Sequence, residues 1–280
     1  MLTLPGTAIE IVRPELRPTI LRYALFDFDG TISLIRQGWQ EVMAPLMVEV
    51  LLETPQHEGR AAIEALVHET IDRTTGQQTI FQMMALADQV HERGGEPLEP
   101  LAYKRLYLDR LWEHIRARVE GLQSGAFPRN QLLVRGSLEL LDLLEKRGVT
   151  CYLASGTDRD AVVAEAEALG VARYFRGGIH GALDDWKGYS KAMVIEGILA
   201  NHRGNAQALV TFGDGYVEIE NTVDAGGIAV AVATDEVNGG QVDPWKRERL
   251  IRAGAHLVVP DLAEAATLLR LLESGVLGAS

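Results

Sequence analysis

The sequence predicts an α/β protein: a Rossmann-like three-layer core with a mostly parallel sheet, carrying an inserted α-helical cap domain. Three observations carry that reading. Short apolar runs ending in Gly, Ser or Asp recur before residue 33 and after residue 148, and each is followed by a stretch with helical spacing. From Gln37 to about Asn130 apolar residues recur at helical spacing with no strand-like run among them. The chain has 280 residues, 47% hydrophobic and 24% charged, enough for one core domain with a smaller insert. The expected division is residues 1–33 and 131–280 for the core and 34–130 for the insert.

Taken in order, Thr7 to Val12 alternates loosely and predicts an edge strand, which Pro14 and Pro18 stop. Tyr23-Ala24-Leu25-Phe26 is apolar on both faces and ends abruptly in Asp-Phe-Asp-Gly-Thr, so it reads as a buried central strand. Trp39 to Leu52, Arg60 to Asp72, Thr79 to Arg93 and Pro100 to Val119 are the four expected helices of the insert, punctuated by Gly76 and Gly94-Gly95. Thr74 to Thr79 between two of them is polar; it can hang over a site or be a plain turn.

Ser137 to Arg147 predicts a helix closed by Gly148, and Val149 to Ala154 a buried strand ending in Ser155-Gly156-Thr157. Asp158 or Asp160 starts a helix that runs to Leu169, and Tyr174 to Ile179 is a candidate short strand. Ser190 is placed to cap a helix from Lys191 to Ala200. Ala208 to Phe212, Ile228 to Ala233 and His256 to Val259 complete the strands, and Leu262 to Glu273 is the last helix.

Formal net charge is −12, which repels polyanions and excludes nucleic acids and anionic membranes as expected partners. The single cysteine, Cys151, rules out an internal disulfide and fits a reducing cytoplasm. No basic-then-apolar leader opens the chain, and no apolar run approaches membrane-spanning length. A soluble, cytoplasmic protein, monomer or weak homodimer, is expected.

Three strand ends then present polar residues: Asp27 and Asp29, Ser155 and Thr157, and Asp214. Ligands of open α/β sheets bind outside such ends. Asp27 and Asp214, with a backbone carbonyl and waters, suit an octahedral oxygen shell; with no His or Cys cluster beside them, the expected cation is Mg2+ rather than zinc. Gly30 permits the sharp departure that lets Asp27 and Asp29 face one substrate. One carboxylate can attack phosphorus while the other protonates the leaving oxygen and later activates water. Ser155 and neighbouring amides can hold phosphate oxygens, and Lys191 can neutralise both Asp27 and the phosphoryl group.

Phe26-Asp27-Phe28-Asp29-Gly30-Thr31 resembles the first signature of the haloacid dehalogenase superfamily of phosphatases. Leu153-Ala154-Ser155-Gly156-Thr157 is similar to the second, Lys191 to the third-signature lysine, and Phe212-Gly213-Asp214-Gly215 with Glu218 to the fourth. The helical insert is similar to the small cap of phosphoglycolate phosphatases and sugar-phosphate mutases. The resemblance implies Asp27 as nucleophile and Asp29 as general acid and base. It implies Asp27, the Asp29 carbonyl and Asp214 as magnesium ligands, and Gly30, Ser155, Gly156 and Thr157 around the substrate phosphate. The family commonly has Asp where Glu218 stands, which leaves the role of Glu218 open between a metal-bound water and the lysine. Lys187 lies near enough to Lys191 to be the alternative lysine.

The activity so implied is hydrolysis of a small phosphorylated metabolite through an aspartyl-phosphate. A sugar-phosphate mutase is the alternative within the fold, and a non-catalytic binding protein the alternative outside it. The retention of Asp27, Asp29 and Asp214 argues against the last. Lys104, the insert's sole lysine, lies on an expected helix, which argues against the imine chemistry of the family's phosphonate hydrolases.

Overall fold

A computed structural model describes residues 2–14, 16–201 and 205–275. The chain begins with β1 (Leu2–Thr3), β2 (Glu10–Ile11) and β3 (Tyr23–Phe26), then four helices, α1 (Trp39–Leu52), α2 (Arg60–Thr74), α3 (Thr79–Glu92) and α4 (Pro100–Ser124). After α5 (Ser137–Lys146) the alternation is β4 (Thr150–Asp158), α6 (Arg159–Leu169), β5 (Gly178–Ala182), α7 (Lys191–Asn201) and β6 (Leu209–Gly213). It finishes with α8 (Tyr216–Asp224), β7 (Ile228–Val232), α9 (Pro244–Arg252), β8 (Leu257–Val259) and α10 (Ala265–Ser274).

The described strands form one eight-stranded sheet in the order β1-β2-β8-β7-β6-β3-β4-β5. β3 to β8 run parallel, and β1 and β2 add an antiparallel edge. The expected α/β core with a mostly parallel sheet is what forms. Alternate residues of the strands feed opposite layers. Phe26, Leu153, Phe212 and Val230 pack toward α5, α6 and α10, while Leu25, Ala154 and Leu209 pack toward α7, and Ala229 and Ala231 toward α8 and α9. Phe26 and Phe212 stack with ring centroids 4.8 Å apart, which ties β3 to β6 where the site begins.

β3 lies between β4 and β6, with Phe26 opposite both Leu153 and Phe212. That register brings the residues after Phe26, Ala154 and Gly213 to one edge of the sheet. α1 packs on α2 and α4, α3 packs on α4, and α4 also touches α6.

Some expected boundaries move. Tyr174 and Phe175 are not strand residues: Ala172–Tyr174 is a 3-10 turn with Tyr174 and Phe175 buried in the core, and the strand begins at Gly178, opposite Tyr152. Gly177 lies so close to the Tyr152 ring that a Cβ would meet it at 2.4 Å, so only glycine lets the chain come alongside β4 here, where the Gly177 N–H donates to the Cys151 carbonyl. β4 runs on through Ser155-Gly156-Thr157 with a bulge between Ala154 and Asp158 instead of ending at Ala154. Asp158 holds the N-cap position of α6, but its carboxylate pairs with Lys104 of α4 and makes no capping bond. The edge strand shrinks to Glu10–Ile11, and the last helix starts at Ala265, because Leu262 instead donates its N–H to Arg135. The sequence reading also passed over α9.

Candidate active site

Asp27 follows β3 directly, and its N–H still donates to the Phe212 carbonyl at 2.9 Å as though the strand continued. The ladder then breaks. Ile32 and Ser33 donate back to the Phe28 carbonyl, and Gly30 takes a positive φ of 75° inside this tight turn. A Cβ on Gly30 would stand 2.2 Å from Asp214 Oδ2, so only glycine lets the turn lie against that carboxylate. Gly30 faces Asp214 and Glu236 and is not among the residues lining the cavity that Asp27 borders.

That cavity, of about 90 Å3, joins most of the residues expected from the motifs: Asp27, Asp29, Ser155, Gly156, Thr157, Lys191 and Asp214 all line it. Lys191 Nζ lies 2.9 Å from Asp27 and 2.8 Å from Glu218 Oε2. Ser190 caps α7 by accepting from the Met193 N–H at 3.1 Å, which fixes Lys191 at the helix start. Lys187 points elsewhere, over the Trp186 ring. Of the two lysines, Lys191 is the one facing the aspartates.

Glu218 is 1% exposed. Besides the Lys191 bond, its Oε1 accepts from the Gly215 N–H at 2.7 Å, closing the first turn of α8. One oxygen from each of Asp27, Asp214 and Glu218 lies within 4.8 Å of the others, a group able to hold a metal ion. Its all-carboxylate donor set suits a hard cation.

A second lysine enters here without any motif. Lys246 of α9 is buried and places Nζ 2.8 Å from Asp214 Oδ2 and 2.6 Å from Glu236. Four carboxylates, of Asp27, Asp214, Glu218 and Glu236, thus share two ammonium groups, an excess of negative charge that one divalent cation would neutralise. Burial, with Glu218 and Asp214 nearby, holds Asp27 well above the ordinary aspartate pKa despite Lys191. Burial opposes the charge on Lys191, but Asp27 and Glu218 outweigh it and keep its pKa above that of an ordinary lysine.

Asp29 is differently supported. Thr157 Oγ1 donates to its Oδ2 at 2.8 Å, so this hydroxyl is committed to Asp29. Oδ1 is buried without a hydrogen-bond partner; Arg36 Nε lies 3.9 Å away. Arg36 is itself gripped by Glu165 of α6, at 2.7 Å from Nη2 and 3.1 Å from Nε. Burial raises Asp29 from 3.8 to about 6, Arg36 pulling against it. The Ser155 hydroxyl accepts from the Thr157 N–H at 3.1 Å, and the Tyr189 hydroxyl donates to the Ser155 carbonyl at 2.8 Å. Together these bonds shape the bulged end of β4.

The turn from Thr75 to Gln78 lies directly on this edge. A Cβ on Gly76 would be 3.1 Å from Gly215 Cα, and one on Gly156 2.4 Å from the Gln77 carbonyl. Gln77 Nε2 donates to the Tyr216 hydroxyl at 2.5 Å, and Gln78 Nε2 to the Tyr189 carbonyl at 2.8 Å. Arg249 of α9 donates to the carbonyls of Asp72, Arg73 and Thr75 while lying over the rings of Tyr216 and Trp245. These contacts hold the helical segment down over the sheet edge.

Arg36, Glu165, Glu236 and Lys246 carried no recognisable sequence signal. Gln82 and Tyr107, which line the helical side of the cavity, did carry a faint one: each is a polar-tipped residue on an apolar helix face, Gln82 among Ile80, Met83 and Leu86, Tyr107 between Tyr103 and Leu111.

The profile of the haloacid dehalogenase-like hydrolases matches residues 21–226, and the chain belongs to that family of hydrolases. Among solved structures, one described as a predicted phosphoglycolate phosphatase from Haemophilus somnus aligns over 90% of this chain and 99% of its own, with 15% identity and a TM-score of 0.58. One described as a predicted phosphatase from Clostridium acetobutylicum covers 90% and 100%, with 17% identity and a TM-score of 0.57. A β-phosphoglucomutase from Clostridium difficile covers 88% and 93%, with 14% identity and a TM-score of 0.55. At these identities the likeness is one of fold. No curated protein matches the sequence. Among the described residues no helix is long and apolar enough to cross a membrane.

Proposed function

We propose that the chain is a magnesium-dependent phosphatase that hydrolyses a small-molecule phosphate monoester through an aspartyl-phosphate on Asp27. The observation that carries this reading is one cavity in which Lys191 lies 2.9 Å from Asp27 while the second carboxyl, Asp29, has a pKa raised to about 6. A nucleophile needs its counter-charge close by, and an acid that must later serve as base works best with a pKa near the working pH.

An Asp27 oxygen attacks phosphorus, forming the new O–P bond as the ester O–P bond breaks. Asp29, oriented by Thr157 and Arg36, gives its proton to the leaving oxygen. Ionised Asp29 then takes a proton from water, which attacks phosphorus and returns Asp27 as a free carboxylate with release of phosphate. Lys191 neutralises Asp27 and the phosphoryl oxygens, and Glu218 keeps it in place. Ser155 and the backbone of Gly156 and Thr157 are the groups best placed to receive phosphate oxygens. Asp27, the Asp29 carbonyl and Asp214, supported by Glu218, would hold Mg2+, which when bound screens the phosphoryl charge from the carboxylates.

In this reading residues 34–130 act as a cap over the core formed by 1–33 and 131–280. The acidic surface keeps nucleic acids away, and the enzyme works as a cytoplasmic monomer or weak homodimer. The test is phosphate release from acetyl phosphate and from sugar and polyol monophosphates, with and without magnesium. Chelator should abolish it, magnesium restore it, and calcium, with its larger and looser shell, restore little. Full activity in excess chelator would contradict the metal assignment; transfer to a second hydroxyl without phosphate release would identify a mutase.

A further inference from the structure

We propose that the leaving group of the substrate is short, uncharged and hydroxylated: the chain acts on the monophosphate of a small polyol, not on one bearing a carboxylate or a second phosphate. This rests on the phosphatase reading above and adds the substrate class to it.

The helical wall of the cavity carries Gln82 of α3 and Tyr107 of α4, each 4% exposed, with Thr79 and Trp39 beside them. Among the described residues, neither the Gln82 amide, the Tyr107 hydroxyl nor the Thr79 hydroxyl makes a hydrogen bond to the protein, although each lines the cavity. Gln82 and Tyr107 are buried as residues but their polar tips are not sealed off, so they open into the cavity, where a ligand's polar groups can meet them. An amide and two hydroxyls each offer both a donor and an acceptor, which is what alcohol groups require. Burial holds the Tyr107 phenol well above its ordinary pKa, so it stays neutral.

An anionic leaving group finds no counter-charge there. The cavity lining has two cations, Arg36 and Lys191, and each already faces two carboxylates: Glu165 and Asp29 for Arg36, Asp27 and Glu218 for Lys191. Lys104, on the same helix as Tyr107, is taken by Asp158. A carboxylate on the leaving group would be desolvated beside Asp29 with no unpaired cation to meet it. The cavity, of about 90 Å3, is small and partly open, which suits a short leaving group beside the phosphoryl group.

The test compares glycerol 3-phosphate, 3-phosphoglycerate and acetyl phosphate in magnesium, using wild type, Gln82→Leu, Tyr107→Phe and Gln82→Lys, with thermal melts to check folding. The first two esters differ only in an alcohol against a carboxylate; acetyl phosphate has no hydroxyl to recognise. Wild type should favour glycerol 3-phosphate over 3-phosphoglycerate by about tenfold or more in kcat/KM. Gln82→Leu and Tyr107→Phe should each lower the ratio of glycerol 3-phosphate to acetyl phosphate by about five- to tenfold. Gln82→Lys should shift preference toward 3-phosphoglycerate, a gain that a misfolded protein cannot show. Equal or better use of 3-phosphoglycerate by wild type, or unchanged ratios in all three variants, overturns the proposal. Folded wild type that hydrolyses none of the three phosphates overturns the phosphatase reading, and this inference with it.

Discussion

On its sheet side the cavity is walled by charges that already have partners, Lys191 against Asp27 and Glu218 and, behind them, Lys246 against Asp214 and Glu236. On its helical side it is walled by Gln82, Tyr107 and Thr79, uncharged and without protein partners among the described residues. The difference divides the labour. Charges fixed at strand ends can serve a reaction whose charge distribution is the same for every monoester, whereas neutral groups free to bond can tell one alcohol from another. The turn at Gln77 and Gln78 lines the cavity too, through Thr75, Gly76 and Gln77. The amide nitrogens of Gln77 and Gln78 donate to Tyr216 and Tyr189, so the turn also joins the two halves, while Gln78 Oε1 is left without a partner.

The largest expected effect lies on the sheet side. Asp27→Asn is nearly isosteric and should keep the fold, yet turnover should fall by about a thousandfold or more on every ester, because a carboxamide replaces the nucleophilic carboxylate. Turnover near wild type would remove Asp27 from its role and leave the charged wall unexplained.

A second change sharpens the metal side of the comparison. Lys246→Met removes a cation from Asp214, so calorimetry should show magnesium binding tighter by about three- to tenfold. Metal-free Lys246→Met should melt lower, since Asp214 and Glu236 then lie buried without their counter-ion. Weaker magnesium binding would mean that Lys246 positions Asp214 for the metal instead of competing with it.

Asp29 offers a smaller effect of opposite sign. Its folded pKa of about 6 lies above the ordinary 3.8, so the folded state binds this proton more tightly than the unfolded one. The resulting stabilisation is complete below about pH 4 and is lost as pH rises through about 6. Asp29→Asn should therefore raise the stability of the metal-free protein at about pH 7.5 by on the order of 1 kcal/mol, with the gain vanishing near pH 4, while turnover falls by about a hundredfold or more. Thermal melts at the two pH values decide it; a loss of stability at the higher pH contradicts the assigned burial cost.

The smallest effect belongs to the joining turn. Gln77→Ala breaks one bond to Tyr216 and should lower kcat/KM for chemically unlike esters by the same factor, about two- to fivefold. Unequal losses would assign substrate choice to this turn.

The charged wall was legible in the sequence because each of its motifs sits at the end of a local apolar run, and parallel pairing of adjacent strands does the rest. Asp27, Ser155 and Asp214 meet because β3 pairs with both β4 and β6. Ser190 likewise announced the helix that carries Lys191. Arg36 meets Glu165 only because α6 packs beside the first turn after β3, and Lys246 reaches Asp214 from a helix that closes on it from 32 residues downstream. Such pairs are fixed by tertiary packing, and neither partner has a neighbour in sequence that betrays it. Gln82 and Tyr107 give only the faint signal of a polar tip on an apolar helix face until the cavity they border is built.

The central claim is covalent chemistry at Asp27, and trapping the intermediate tests it most directly. Wild-type protein turning over acetyl phosphate with magnesium is quenched in acid, reduced with borohydride, digested and analysed by mass spectrometry. An aspartyl-phosphate at Asp27 should appear as homoserine at position 27, dependent on substrate and absent in Asp27→Asn. Turnover that leaves every aspartate unmodified under these conditions, or homoserine at another position, would contradict the account.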